Sequence, residues 1–536
     1  MYRRSIFEMD KDNELFTIQE ASNWATEYLG REVSTSNISY LIQYGCVRKI
    51  GENSSTQIHK SDLEKYYHSY LGKREIEWKK ELGEDLNWAL SFDNIVEKER
   101  TKHVHRLHPY KGKFIPQLVE YFLDDRTDEF KREVYFKPGD IVLDPFCGSG
   151  TALVQANELG IHGIGIDISA FNAMISNVKI RKHDLFKLHE EIRKISIALK
   201  EFIAERKNAA FETELYEELT QFNNQFFPSP EFKYRVRQGE IDQFKFGNEK
   251  EKEFLIKYES LIKKHNFILK QNGDKIFLDK WYIASVRDEI NYVFNLIQKQ
   301  QDNDIKVVLA LILSRTMRSC RATTHSDLAT LIDPVLTTYY CQKHGKICKP
   351  IFSISGWWET YSKDTIKRLS IFKNLRTPTI QYCITGDSRM VDIFSELEQK
   401  SKALAEFAKK NKINGIFSSP PYVGLIDYHE QHAYAYDLFG YDRRDEQEIG
   451  PLNKGQGREA RETYIIGISD VLINCKKFLV DDYNIFLVAN DKYGLYPRIV
   501  ERAGMKIVNE FKRPVLHRTE KNKAPYSESI FHIKAR

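Results

Sequence analysis

The sequence lacks the features of membrane-embedded and secreted proteins. No apolar run in its 536 residues approaches the roughly eighteen needed to span a bilayer, and its first residues carry no secretory apolar region. Its seven cysteines are scattered and do not form a paired extracellular framework. We therefore expect a cytoplasmic protein that does not contact a membrane.

A strong charge of one sign is also missing. The formal net charge is only +5, so any nucleic-acid binding has to come from local basic patches. The chain is too long for one ordinary core, and its length predicts two or three domains.

The chain is organised around residues 137–167. An apolar run at 141–143 leads directly into a glycine-rich turn and then a helical pattern, which predicts strand, turn and helix. Gly148 and Gly150 allow a ligand to lie on the backbone, and the following helix N-terminus offers free N–H groups. A second strand ends at Asp167, about where doubly wound folds bind a ribose. By itself this pattern leaves dinucleotides, nucleotides, S-adenosylmethionine and a purely structural turn open.

Two motifs resemble those of a known family. The turn at 144–151 reads Asp-Pro-Phe-Cys-Gly-Ser-Gly-Thr, and it closely resembles the S-adenosylmethionine motif of the amino-methyltransferases that modify exocyclic nitrogens of nucleic-acid bases. The run at 419–422, Ser-Pro-Pro-Tyr after an apolar strand, resembles the catalytic motif of DNA amino-methyltransferases, most typically those acting on cytosine N4. The resemblance implies an α/β fold with a Rossmann-like sheet of seven strands, one of them reversed.

The resemblance also implies residue roles. Asp167 would hold the cofactor ribose, Asp387 would contact its adenine amino group, and the segment around Tyr110 would line its methionine end. The implied cofactor-binding residues are Pro109, Tyr110, Lys111, Asp144, Pro145, Phe146, Cys147, Gly148, Ser149, Gly150, Thr151, Asp167, Ile168, Asp387 and Ser388. The implied catalytic residues are Ser419, Pro420, Pro421 and Tyr422.

The chemistry explains why such a catalytic loop is needed. An exocyclic amino nitrogen is a poor nucleophile because its lone pair is delocalised into the ring, so the base must be extruded and held in line with the methyl group. We expect Ser419 and the Pro420 carbonyl to accept the amino hydrogens and Tyr422 to stack on the base. Consecutive prolines make this loop rigid, and the reaction requires no metal.

Residues 1–72 predict a small separate module. Apolar spacing indicates a helix over 18–29 and a second helix capped by Ser34 or Thr35, followed by a two-stranded wing from 47–50 and 57–59. This resembles excisionase and MerR-like winged helix-turn-helix domains, whose second helix enters the major groove. A helical domain for protein contacts or packing stays open as an alternative. The DNA-facing candidates are Ser36, Asn37, Tyr40, Arg48 and Lys49.

The rest of the chain predicts a catalytic domain divided by an insert. Residues 73–180 form the cofactor half, 181–378 a mostly helical insert for target recognition, and 379–536 the catalytic half. Aromatic and basic residues over 226–246 and the arginines Arg315, Arg318 and Arg321 suit contacts to the DNA backbone and bases, with a solvated helix face as the alternative for each one.

Four residues of the insert form a possible zinc set. They are Cys320, Cys341, His344 and Cys348. Their spacing is not that of a standard finger, so metal binding stays open beside ordinary buried thiols.

The sequence thus predicts a site-specific DNA methyltransferase that acts on cytosine N4 in double-stranded DNA. It would use S-adenosylmethionine and serve a restriction-modification or defence system at the nucleoid. Because no separate nuclease motif is evident, cleavage would need a cognate restriction endonuclease or another defence protein. Adenine N6 is the nearest alternative. Further alternatives are an RNA base methyltransferase and a DNA-binding regulator with an inactive methyltransferase fold.

Overall fold

The computed structural model describes residues 14–29, 32–51, 56–68, 74–92, 95, 97–110, 112–205, 209–269, 271, 273, 275–325, 331–516 and 525–536. Lys111 and most of the predicted wing tip lie outside these residues. Within these ranges, no helix has both the length and the apolar character required to cross a membrane.

The N-terminal module contains two short strands and three helices. In chain order they are β1 (Leu15–Thr17), α1 (Ile18–Leu29), α2 (Thr35–Gln43), β2 (Gln57–His59) and α3 (Lys60–His68). Both predicted helices are present, and the Ser34 side chain caps α2 by accepting a hydrogen bond from the Asn37 N–H. Of the predicted wing pairing, the described residues contain one residue pair. β2 pairs with β1, and residues 47–50 contribute only a bridge from Ile50 to Gln57, because fully buried Ile58 ties β2 to the module core.

Apolar residues at every fourth position, Trp78, Leu82, Leu86 and Leu90, predict one linking helix over 72–100. The structure does not form this single helix. The helices here are α4 (Arg74–Leu82), α5 (Glu97–Arg100) and α6 (Pro116–Leu123), with 3₁₀ turns at Trp88–Ser91 and His103–Arg106. Gly83, with φ of 103°, follows α4, and the Asn87 N–H donates to the Lys512 carbonyl at 2.8 Å. Pairing with the edge of the sheet therefore replaces a continued helix.

A seven-stranded sheet forms the centre of the catalytic domain. The remaining strands are β3 (Ile141–Asp144), β4 (His162–Asp167), β5 (Tyr339–Cys341), β6 (Lys346–Cys348), β7 (Gln381–Thr385), β8 (Ile413–Ser418), β9 (Leu479–Ala489), β10 (Met505–Pro514) and β11 (Ser527–Ala535). The sheet order is β10-β11-β9-β8-β3-β4-β7, and β11 is antiparallel to both of its neighbours. The parallel strands β3, β4, β7, β8 and β9 complete it. The predicted α/β fold with one reversed strand is confirmed.

Helices cover both faces of this sheet. The remaining helices are α7 (Thr151–Glu158), α8 (Ala170–Ile180), α9 (Leu185–Ala204), α10 (Ala209–Phe226), α11 (Glu231–Arg237), α12 (Gln243–His265), α13 (Phe277–Trp281), α14 (Ala284–Gln298), α15 (Asn303–Ser319), α16 (Ser355–Leu375), α17 (Ile393–Lys400), α18 (Lys402–Asn411), α19 (Tyr428–Gln431), α20 (Ala433–Phe439), α21 (Arg458–Lys476) and α22 (Tyr496–Arg502). Ile141 and Leu143 pack with α17, α18, α21 and α22, whereas Val142 packs with α6 and α7. This alternation follows from the two-residue period of a strand.

The chain between β4 and β7 forms the predicted insert, which is mostly helical. Three of the aromatic and basic residues that suit DNA contacts are buried in the insert. Phe227 and Phe232 are buried and pack edge to face with ring centroids 5.0 Å apart. Arg315 is buried and pairs with Asp364, and its guanidinium donates to Thr365 at 2.7 Å. Because these three side chains are buried within the insert, they are not available to contact DNA, whereas Phe244 is exposed.

The strand order reverses at β3, in the middle of the sheet. After β3 the chain adds β4 and β7 on one side, and it later adds β8 and β9 on the other side. Ligands of open α/β sheets bind outside the carboxyl ends of the strands at such a reversal of strand order. The fold therefore predicts a ligand site at the carboxyl ends of β3, β4 and β8.

Candidate active site

A cleft lies at the carboxyl ends of these strands. It encloses about 870 Å³ outside protein atoms, part of it open to solvent. Its lining comprises Tyr110, Gly112, Lys113, Phe114, Asp144, Pro145, Phe146, Cys147, Gly148, Ser149, Thr151, Asp167, Ile168, Asn172, Gly386, Asp387, Ser388, Ser419, Pro421, Tyr428, Gln447, Glu448 and Ile449. Most of the predicted cofactor residues and two of the predicted catalytic residues thus share one cleft.

A hydrogen bond joins the two sequence motifs directly. The Ser418 hydroxyl, at the end of β8, donates to the Asp144 carboxylate at the end of β3 over 2.6 Å. The two residues are 274 positions apart in sequence, but β3 and β8 are parallel neighbours. The glycine-rich turn and the Ser-Pro-Pro-Tyr loop are therefore held side by side.

Asp167 organises the glycine-rich turn. Its Oδ2 accepts a hydrogen bond from the Gly148 N–H at 2.7 Å, and its Oδ1 accepts from the Ser169 N–H at 2.9 Å and from the Asn172 amide at 3.1 Å. Burial raises the pKa of Asp167 to about 6, against the opposing effect of these bonds. A carboxylate has about four acceptor positions, so Asp167 keeps capacity for a ligand donor.

Position 148 has no room for a side chain. A Cβ atom there would lie 2.8 Å from the Tyr110 hydroxyl oxygen, and the backbone φ is 51°. The Tyr110 ring itself stacks with the rings of Tyr428 and His432, whose centroids are 5.6 and 6.0 Å away. The tight approach of this ring to the turn requires glycine.

The cleft contains polar atoms that are ready to bind a ligand. Ser149 Oγ, Thr151 Oγ1 and Asn172 Oδ1 are buried without a hydrogen-bond partner in the part of the chain that the structure describes. Buried polar groups are normally paired, since leaving one unpaired costs about 1–3 kcal/mol. All three residues line the cleft, so a bound polar molecule would offset this cost.

The two predicted acids near the cofactor differ in environment. Asp387 forms an ion pair with Arg389 at 2.6 Å. Burial acts to raise its pKa, but the hydrogen bonds from Arg389 outweigh burial and hold the pKa below its ordinary value. The neighbouring Ser388 hydroxyl donates to the Pro145 carbonyl at 2.6 Å, which ties this turn to the glycine-rich turn.

The predicted catalytic loop is braced from behind. The Ser419 hydroxyl donates to the Val488 carbonyl at 3.1 Å, and the Tyr422 hydroxyl donates to Glu528 at 2.9 Å. The guanidinium of Arg513 donates to the other oxygen of Glu528 at 2.9 Å. Tyr422 is thereby fixed from two strands of the antiparallel pair.

Four predicted residues do not line the cleft in the described part of the chain. They are Pro109, Gly150, Pro420 and Tyr422. Gly150 instead caps α7 with φ of 75°, and a Cβ there would lie 2.9 Å from the Ser176 hydroxyl.

Sequence reasoning also missed part of the lining. The missed residues are Gly112, Lys113, Phe114, Asn172, Gly386, Tyr428, Gln447, Glu448 and Ile449. Those at 112–114 continue the segment containing Tyr110 and were within reach of the same argument. Tyr428 and residues 447–449 carry no recognisable pattern, and only the path of the chain after the catalytic loop brings them to the cleft.

Replacing Asp144 with asparagine should make the ligand-free protein more stable at pH 8 than at pH 5, relative to the wild type. Burial raises the pKa of Asp144 to about 7. The wild type therefore loses stability as the pH rises from the unfolded pKa, near 4, through 7, because a buried carboxyl must ionise. Asparagine can still accept the bonds from Ser418 and the Phe146 N–H, and it does not ionise. Urea unfolding should show that the gain from the substitution is larger at pH 8 than at pH 5 by roughly 3 kcal/mol, since the interval from pH 5 to 7 spans two pKa units at about 1.4 kcal/mol each. If the variant and the wild type differ in stability by the same amount at pH 5 and pH 8, the prediction is wrong.

The chain has clear relatives among known proteins. The family described as DNA methylase matches residues 46–178. The type II methyltransferase M.MjaII of Methanocaldococcus jannaschii is 47% identical over 527 residues, which cover 97% of each chain. The type II methyltransferase M.MvaI of Kocuria varians is 34% identical over 117 residues, 22% of this chain and 24% of the relative.

Another relative, which matches only part of the chain, is named as a tRNA methyltransferase. The tRNA (guanine(10)-N2)-dimethyltransferase of Methanocaldococcus jannaschii is 36% identical over 121 residues, 21% of this chain and 32% of the relative. No solved structure shows a significant match to the chain.

Proposed function

The chain belongs to the DNA amino-methyltransferase family, and from this premise we propose that it transfers a methyl group from S-adenosylmethionine to the N4 amino group of cytosine in double-stranded DNA. The observation that carries the proposal is the Ser418–Asp144 hydrogen bond, since it brings the glycine-rich turn and the Ser-Pro-Pro-Tyr loop to one cleft. The full-length similarity to M.MjaII, a type II methyltransferase, supports a DNA substrate.

S-adenosylmethionine supplies an electrophilic methyl group when it is bound. The cleft fits such a molecule, because Ser149, Thr151 and Asn172 present unpaired buried polar atoms beside the glycine-rich turn. We assign Asp167 to the ribose hydroxyls, the turn around Asp387 to the adenine, and the segment around Tyr110 to the methionine end. Asp167 retains acceptor capacity for this role.

The Ser-Pro-Pro-Tyr loop would grip the extruded base. Ser419 lines the cleft, and its oxygen can accept an amino hydrogen while its own proton is held by the Val488 carbonyl. Accepting these hydrogens localises the lone pair on the nitrogen and makes it a better nucleophile. The bond from Tyr422 to Glu528 limits rotation of the tyrosine ring, which preorganises it for stacking.

Product analysis tests this proposal. The purified enzyme is incubated with labelled S-adenosylmethionine and duplex DNA, and the labelled nucleoside is identified after hydrolysis. We expect N4-methylcytosine. N6-methyladenine would keep the mechanism and overturn the choice of base, whereas transfer to RNA alone would overturn the substrate. Binding of duplex DNA without transfer to either nucleic acid would indicate a regulator with an inactive fold.

We further propose that the chain divides into domains at 1–72, 73–180, 181–378 and 379–536. The first of these would be a winged-helix type DNA-binding module. Ser36 and Tyr40 are exposed on α2, as a recognition helix requires. Asn37 also caps α2. Arg48 lies over the Tyr234 ring of the insert at 5.7 Å, and the Arg237 guanidinium donates to the Tyr44 carbonyl at 2.6 Å. These contacts couple the module to the insert, to which we assign target recognition.

Replacing Lys49 with glutamine should weaken DNA binding in a salt-dependent way. One lost phosphate contact lowers the slope of log affinity against log salt by about 0.9. Binding titrations at several salt concentrations measure the slope, and Lys409→Gln on α18 is the matched control for the loss of one positive charge. A slope unchanged from the wild type in Lys49→Gln would remove this residue from the DNA interface.

The biological setting is a proposal as well. The type II names of the relatives support a restriction-modification system, in which a cognate restriction endonuclease or another defence protein would be the partner. Work on chromosomal DNA would place the enzyme at the nucleoid.

A further inference from the structure

Four side chains of the insert converge on one point. His325, Cys341, His344 and Cys348 each offer one ligand atom, and these atoms all lie within 4.8 Å of one another. His344 Nδ1 is 3.5 Å from the sulfur of Cys341 and 3.5 Å from the sulfur of Cys348. This is a different set from the one suggested by the sequence.

Cys320 does not belong to the cluster. It caps α15, is 1% exposed and packs in the large apolar core of the insert. His325 takes its place five residues later in the chain. The spacing of cysteines alone pointed to the wrong fourth residue, because a ligand from a distant segment need only be close in space.

We propose that His325, Cys341, His344 and Cys348 bind one Zn²⁺ ion in a closed structural site. Zinc bonds of about 2.3 Å to sulfur and about 2.0–2.1 Å to nitrogen in a tetrahedron place sulfur and nitrogen about 3.5–3.6 Å apart. The two distances from His344 match this separation. Two thiolates with two imidazoles are a ligand set typical of zinc.

An outer hydrogen bond orients the fourth ligand. The Tyr339 hydroxyl lies 2.7 Å from His325 Nδ1 and accepts a bond from the His325 backbone N–H at 3.2 Å. With Nδ1 engaged in this way, Nε2 is the ligand atom. Histidines that bind metals usually have their other ring nitrogen fixed by such a partner.

The hairpin that carries three of the ligands is built in advance. The Gly345 N–H donates to the Cys341 carbonyl at 2.7 Å, and Gly345 turns the chain with φ of 62°. The Asn223 side chain bonds both the N–H and the carbonyl of Ile347, at 2.9 and 3.0 Å. The ligands therefore pay little ordering entropy on binding a metal.

The position of the site indicates what the metal does. None of its four residues is among those that line the catalytic cleft in the described chain, and four protein ligands leave no open position for chemistry. Lys233 of α11 donates to the Lys343 carbonyl of the hairpin at 2.9 Å and lies 4.3 Å from the Tyr44 ring centroid. The zinc would thus brace the insert where it meets the N-terminal module. This inference does not depend on the reaction catalysed.

Metal analysis of the full-length protein tests the site. We expect about one zinc per chain after purification without chelator, released by a mercurial that blocks thiols and detected with a chromophoric chelator. Replacement by Co²⁺ should give the visible absorption of a tetrahedral cobalt-thiolate centre. Absence of bound zinc together with absence of this absorption would overturn the proposal without bearing on methyl transfer.

Variants then test the ligand set. His325→Ala should lose the zinc, whereas Cys320→Ala should keep it. Tyr339→Phe retains the ring and removes only the hydroxyl, so zinc affinity should fall about 10- to 100-fold in a chelator competition. Loss of zinc from Cys320→Ala with retention in His325→Ala would overturn the assignment. If His325→Ala does not fold, the site is tested by the zinc affinity of Tyr339→Phe and by the cobalt spectrum of the wild type. An unchanged zinc affinity in Tyr339→Phe would refute His325 as a ligand.

Discussion

Replacing Gly148 with alanine should weaken S-adenosylmethionine binding by about tenfold to a hundredfold or more. The added Cβ would lie 2.8 Å from the Tyr110 hydroxyl oxygen and 2.9 Å from the adjoining ring carbon. Forced overpacking of this kind costs typically about 1–3 kcal/mol. Tyr110 cannot move aside freely, because its ring stacks with the rings of Tyr428 and His432. The displacement therefore falls on the lining of the cleft, and calorimetric titration would measure it.

Gly139 offers a matched control. It also has a positive φ, of 91°, but a Cβ there would have no neighbour within 4 Å. Gly139→Ala should carry only backbone strain, about 1–2 kcal/mol of stability, and bind the cofactor as the wild type does. If both variants lose the same cofactor affinity, backbone strain and not the close approach of Tyr110 to Gly148 weakens binding.

Replacing Ser419 or Tyr422 with alanine should slow methyl transfer strongly while leaving the cofactor affinity unchanged. Ser419→Ala removes an acceptor for the amino hydrogens, and loss of one such preorganised group costs about 10²–10³ in rate. Tyr422→Ala removes a stacking face worth about 1–3 kcal/mol. Single-turnover transfer from labelled cofactor measures the rate, and 2-aminopurine at the target position reports extrusion of the base.

Tyr422→Phe separates stacking from support. It keeps the ring and loses only the hydroxyl bonded to Glu528, so its transfer rate should lie between those of the wild type and Tyr422→Ala. Wild-type rates in both alanine variants would remove the loop from the active site. Full activity in Tyr422→Ala with none in Tyr422→Phe would contradict the stacking role.

The sequence and the structure agree best where function limits residue choice. The turn at 144–151 combines glycines at 148 and 150 with a strand before and a helix after it, and all three are present as predicted. The Asp167 position follows from the same unit, because β3 and β4 are adjacent parallel strands. A short-range pattern was enough here, since a single strand-turn-helix unit builds most of this part of the cleft.

Predictions from the sequence were wrong where the local pattern fits two structures and a contact with a distant segment determines which one forms. Apolar spacing over Trp78 and Leu82 continues to Leu86 as in one helix, yet Leu86 forms a bridge with Lys512 of β10. Aromatic residues such as Phe232, which suit base stacking in composition, are consumed by the core of the insert. Amphipathic pattern and residue type do not tell which partner a side chain will find.

The sequence by itself determined the strand-turn-helix unit and the two motifs, because each rests on local periodicity or on a short run of special residues. The resemblance of these motifs to the family then implied the α/β class and the seven-stranded sheet with its reversed strand. Only the tertiary structure decided that Ser418 bonds Asp144, that Tyr428 and Glu448 complete the cleft, and that His325 replaces Cys320 beside the hairpin. These are contacts between segments far apart in the chain. Their free energy comes from burial and pairing in the folded state, which no local pattern records.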